Sequence, residues 1–124
     1  MDFAALAERF VGFYNAKDFD RLAAMASPNL DFSHFNRDFT FSNRDALLEV
    51  LKQFGSTLAP DRKFLSPERV TVSGNIVVRE AYWVATAMVD LPGFAKAGGK
   101  IRFRFCSVMR FDDNGILVEW KDYG

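Results

Sequence analysis

A chain of 124 residues that is 49% hydrophobic can bury one core as one domain, and it is too apolar to be mostly disordered. Sixteen Lys and Arg balance sixteen Asp and Glu, so the formal net charge is zero, which argues against a nucleic-acid partner. No apolar run approaches a membrane span, and the single cysteine, Cys106, excludes an internal disulfide and a cysteine-cluster metal site.

The amphipathic, early-acidic start "MDFAALAERF" does not read as a signal peptide, so a cytoplasmic protein is expected. In it Phe3, Leu6, Ala7, Phe10 and Tyr14 recur at helical spacing, with Phe13 beside the stripe and Asp2 as candidate cap. Asp18 can cap a short second helix that buries Phe19, Leu22 and Ala26 and stops at "SPN". In "NLDFSHFNRDF", alternation puts Leu30, Phe32 and the only histidine, His34, on one face of a strand. "FNRDFTF" then predicts a short hairpin at the rim of a pocket, with Arg37 and Asp38 as solvated turn residues ahead of ligand contacts. A third helix opens near "SNRDAL", with Ser42 and Asp45 as a capping-box pair, and buries Leu47, Leu48, Leu51 and Phe54.

After Pro60 the texture changes to strands: "ERVTVSG", "NIVVREAYWVATAMV", "KIRFRFCSVMRF" and, past a "DDNG" turn, "ILVEWKDY". Between the second and third of these, "DLPGFAKAGG" is a glycine-rich loop, either a lid over a mouth or a plain connection. The strand over 76–89 is apolar on both sides, and Arg79 on it reads as an outward salt bridge ahead of an anion-binding group. In 101–111 the odd positions Ile101, Phe103, Phe105, Ser107, Met109 and Phe111 form the face that meets the helices. Arg102, Arg104, Cys106, Val108 and Arg110 take the other face, which keeps Cys106 away from a pocket. In the last strand Ile116, Val118, Trp120 and Asp122 share a side, so Asp122 ends an apolar row as His34 does. Helix, helix, strand pair, helix and four strands predict α+β with a mainly antiparallel sheet.

This order, with "RFVGFYNAKDFDRLAAMASPNLDF" near the start, "NRDAL" opening the third helix and "GILVEWKDYG" at the end, resembles the nuclear transport factor 2-like superfamily. Within it the chain looks like the SnoaL-like polyketide cyclases, ketosteroid isomerases and limonene epoxide hydrolases, over nearly its whole length. The resemblance implies one domain over 1–124, a cone-shaped α+β barrel. A curved, mixed but mainly antiparallel sheet would wrap the N-terminal helices and leave a deep apolar pocket. It also implies a homodimer through the convex sheet face.

Carried over residue by residue, the resemblance is mixed. Ketosteroid isomerases use a first-helix tyrosine, an oxyanion-binding aspartic acid and a base aspartate; Phe10, Ser107 and His34 stand there here. Limonene epoxide hydrolases use an Asp–Arg–Asp set with a Tyr and an Asn. Their terminal aspartate matches Asp122, but Trp83 and Ala81 replace the other Asp and the Arg, and Phe32 and His34 fall near the Tyr and Asn. Neither reaction is expected by its family mechanism. The acidic residue that moves protons in SnoaL-like cyclases would be Asp122.

The expected site is therefore a His34–Asp122 acid–base pair, since histidine titrates near neutral pH and a carboxylate can orient it. Phe10, Phe13, Tyr14, Phe32, Trp83, Phe103, Phe105, Ser107, Met109 and Trp120 would line its pocket. The expected substrate is a small apolar molecule, changed by isomerisation, cyclisation, dehydration or hydration. No metal spacing, phosphate-binding loop or nucleotide fingerprint is present, so neither metal nor cofactor is expected. The alternative is a non-catalytic binding module, for a small ligand or a partner protein, with His34 as a core residue and Asp122 as a solvated strand end. A cavity shared by His34 and Asp122 separates the two readings.

Overall fold

The computed structural model describes residues 1–124. Helix α1 (Phe3–Ala16) starts at Asp2, whose carboxylate accepts the Ala5 N–H at 3.0 Å, and buries Ala7, Phe10, Val11 and Tyr14. It ends at Lys17 in the left-handed region (φ 57°). Helix α2 (Phe19–Ala24) is capped by Asp18, as expected. "SPN" does not form a loop after it: strand β1 spans Ala26–His34. A register irregularity between Ala26 and Asp31 accommodates Pro28, which has no N–H for a ladder.

A 3-10 turn (Phe35–Arg37) and strand β2 (Phe39–Phe41) complete the expected hairpin, with His34 opposite Phe39. Helix α3 (Arg44–Gln53) is capped by Asn43, which accepts the Ala46 N–H at 3.0 Å, and not by Ser42. Asn caps as well as Ser, so the choice falls to whichever residue the hairpin exit leaves extended. A single π-helical turn (Phe54–Leu58) follows α3.

Strands β3 (Lys63–Phe64), β4 (Arg69–Ser73), β5 (Ile76–Thr86), β6 (Lys100–Phe111) and β7 (Leu117–Tyr123) complete the chain. The two-residue β3 carries no periodicity of its own. It is held from outside the sheet by Asn15, whose side chain accepts the Phe64 N–H and donates to the Phe64 carbonyl, both at 2.9 Å. The sheet order is β2-β1-β7-β6-β5-β3, with β4 also paired to β5, and only the β1–β7 pair is parallel. The result is a curved, mixed but mainly antiparallel α+β cone around α1. No helix is long and apolar enough to cross a membrane.

Alternation holds along β5 and β6. Val77, Arg79, Ala81, Trp83 and Ala85 are buried on one, and Ile101, Phe105, Ser107, Met109 and Phe111 on the other. Arg79 therefore points inward, contrary to expectation, and holds Glu8 of α1 at 2.7 Å. On the convex side Arg102 stacks 3.9 Å over the Tyr82 ring, and Arg104 donates to its hydroxyl. Met88 and Val89 lie beyond β5 and are exposed. Parity in β7 is reset near its start by an irregularity opposite Arg110 and Phe111. Leu117 is buried there instead of Val118, and the expected face resumes at Trp120 and Asp122.

Candidate active site

Residues from α1, the hairpin, α3, the π turn, β3, β5, β6, β7 and the 87–99 loop enclose a cavity of about 490 Å³. Twelve of its sixteen lining residues are hydrophobic. Of the residues expected there, Tyr14, Phe32, His34, Trp83, Phe103, Phe105, Trp120 and Asp122 line it.

Four do not. Phe10 and Met109, each 1% exposed, are packed solid, Phe10 edge-on against Trp120 at 5.1 Å. Phe13 faces away from the cavity, with the guanidinium groups of Arg9 and Arg21 over its ring. Ser107 sits on β6 directly opposite Asp122, and its hydroxyl favours the ionised form of that carboxyl. Phe39, Val50, Leu51, Phe54, Phe64, Pro92 and Phe94 are further lining residues. Leu51 and Phe54 were legible as the buried stripe of α3. Arg37, expected in solvent, also lines the cavity.

His34 and Asp122 are register partners across the parallel β1–β7 pair and open onto the same cavity. No hydrogen bond joins them. The His34 ring lies 5.1 Å from that of Phe105, and its Nε2 is buried without a partner. Burial, then the charge of Arg37, lowers the His34 pKa below its usual 6.5, so the imidazole is neutral at pH 7. Asp122 is 3% exposed, and its Oδ1 accepts the Trp120 indole N–H at 2.7 Å. Burial pushes its carboxyl up to about 7, against the opposing hydrogen bonds from Ser107 and Trp120.

The Tyr14 hydroxyl accepts the Trp83 indole N–H at 3.0 Å, which leaves its own O–H to donate. Burial raises the Tyr14 pKa, partly offset by Arg62. Arg62 is 1% exposed, lies 3.7 Å over the Tyr14 ring and donates from Nη1 to the Tyr14 carbonyl at 2.6 Å. A Cβ on Gly55 would meet its Nη2 at 3.2 Å, so a side chain in the π turn would crowd this stack. The cavity thus presents a neutral imidazole, a carboxyl that can be acid or base near neutral pH, and a phenol, all against aromatic walls.

Three helices in a curved seven-stranded sheet, with an apolar cavity at one end, define a nuclear transport factor 2-like α+β cone. The chain belongs to the SnoaL-like domain family, whose model matches residues 7–120. It is similar to the solved structure of a proposed polyketide cyclase from Xanthomonas campestris pv. campestris, with 16% identity, TM-score 0.83, and 98% of this chain and 89% of that one covered. It is also similar to an LEH-like epoxide hydrolase from M. tuberculosis, with 18% identity, TM-score 0.74, and 96% and 79% covered. A third is a proposed ketosteroid isomerase from Kribbella flavida DSM 17836, with 13% identity, TM-score 0.72, and 98% and 76% covered. At these identities the likeness is one of fold. No curated protein matches the chain by sequence.

Proposed function

We propose that the chain is a cofactor-free acid–base catalyst that moves a proton on a small apolar substrate, as isomerases, cyclases and hydratases do. The observation that supports this most is Asp122: a buried carboxyl at about 7 in an apolar cavity shared with a neutral imidazole. Groups that titrate near the working pH serve best as both acid and base. In this reading His34 takes a proton from a carbon next to a carbonyl. Protonated Asp122 and the Tyr14 hydroxyl donate hydrogen bonds to the oxygen as charge builds there. The aromatic walls keep water from competing for the intermediate. A homodimer through the convex face of β5 and β6 belongs to the same proposal.

The reading is tested by exchange of the α-protons of 2-tetralone in D2O, followed by NMR. Wild-type protein is expected to accelerate exchange, and His34→Ala to lower that acceleration by roughly 10²-fold or more. Acceleration equal in both would remove the base role. If wild-type protein gives no acceleration, a non-catalytic binding module is the better reading. It is favoured by one observation: His34 and Asp122 share no hydrogen bond, so neither orients the other.

A further inference from the structure

Beyond the charge that helps to keep His34 neutral, Arg37 takes no part in that chemistry, and its surroundings set it apart. It is the only Lys or Arg lining the cavity. Arg79, also on the inner side of the sheet, is neutralised by Glu8 at 2.7 Å. Arg37 has no carboxylate within ion-pair distance. Its Nε is buried and donates to nothing. Its guanidinium carbon lies 4.1 Å from the ring centre of Phe94 and 4.8 Å from that of Phe103. Stacking on ring faces holds the planar group in place but uses none of its N–H donors. A buried donor without an acceptor is costly, and a fixed guanidinium fork matches the two oxygens of a carboxylate.

We propose that the cavity takes an apolar acid, with its ring or chain body against Phe32, Phe54, Trp83 and Phe105 and its carboxylate on Arg37. The proposal names the substrate class for the acid–base reading and rests on it only in sharing the cavity. Phe94 belongs to the 87–99 loop, so the same cation also ties that loop to β6 at the mouth.

The test is isothermal titration calorimetry with 2-naphthoate and its neutral counterpart 2-naphthamide at pH 6, where Asp122 is mostly protonated and does not oppose an anion. Wild-type protein is expected to bind naphthoate at least about tenfold tighter, the ratio that corresponds to ~1.4 kcal/mol. Arg37→Met should abolish that preference, lowering naphthoate affinity about tenfold more than amide affinity. Arg37→Lys should keep part of it, and Arg37→Gln, which retains neutral donors, should keep little. Equal affinities in wild-type protein would overturn the proposal, as would a preference that survives Arg37→Met, or no binding of either ligand. Loss of amide binding in both Arg37→Met and Arg37→Gln would also overturn it, because Arg37 would then be wall rather than anion contact. Equal affinities with 2-tetralone exchange intact remove only the anion site. A naphthoate preference without exchange removes only the acid–base reading.

Discussion

The inner face of β6 is a single alternating row with two fates. Phe103 and Phe105 at its start line the cavity, whereas Met109 and Phe111 at its end are 1% and 0% exposed. Strand, parity and residue type are the same; what stands opposite differs. Phe3 of α1 stacks on Phe111 at 5.9 Å, and Phe10 closes on Trp120 at 5.1 Å, so the far half is filled by helix side chains. Over the near half, Phe39, Leu51 and Phe94 stand at the rim and leave the space between them open. Ser107 and Asp122, paired across β6 and β7, mark the boundary. Alternation assigns a side chain to the inside of a sheet. Whether that inside is solid or hollow depends on which aromatic rings reach it from elsewhere.

This contrast is most strongly tested by paired truncations. Phe10→Ala should cost about 3–5 kcal/mol in urea denaturation, because it empties a filled site. Phe103→Ala should cost about 1 kcal/mol, because it widens a space that already exists. Equal losses would erase the distinction between the halves.

The boundary has its own signature. The Asp122 carboxyl titrates at about 7 in the folded chain against 3.8 as its ordinary value. Between these values the folded state binds more protons than the unfolded one. Stability from this group is therefore full below about pH 4, falls as pH rises to 7 and is flat above, by up to about 4 kcal/mol. Asp122→Asn should remove that slope. Its urea midpoint should gain on the wild type between pH 5 and pH 8, and parallel curves would refute the assignment.

Ser107→Ala should act more gently. Without the Ser107 hydroxyl the ionised carboxyl loses a donor, and Asp122 should titrate above 7, with up to about tenfold tighter proton binding by carbon-13 NMR. An unmoved titration would mean that Ser107 only packs.

The smallest effect concerns the wall of the open half, since α3 supplies Val50 and Leu51 to the cavity. Asn43→Ala should cost about 1 kcal/mol of thermal or urea stability, and Ser42→Ala within about 0.5 kcal/mol. The reverse order would restore the cap read from the sequence.

Much of this is legible in the sequence. His34 and Asp122 were placed on inner faces by alternation alone, and Asp2 and Asp18 by the chemistry of helix starts. Alternation puts Val118 inside, but Leu117 is buried in its place because a ladder irregularity shifts parity, and such a shift leaves no mark in a hydrophobic pattern. β3 was missed because its two residues are held by Asn15, which is distant in sequence. Arg37 and Arg79 both turn inward, although solvent is the first reading for each. A charged residue in a turn or strand is assigned to solvent by default, and only a partner such as Glu8, or rings such as Phe94 and Phe103, can bring it in.

By itself the sequence determined the order of elements apart from β3, the α+β class, the inner face of β6 and the two residues that end apolar rows. These follow from local periodicity, caps and turn chemistry, each confined to a few neighbouring residues. Only the tertiary structure decided that strands from opposite ends of the chain pair in parallel and bring His34 level with Asp122. It also decided that Asp122 is sealed enough to hold its proton near pH 7, and that Arg37 faces the cavity without a counter-charge. Burial and electrostatic environment come from every element packed around a group, and no local pattern of residues carries that sum.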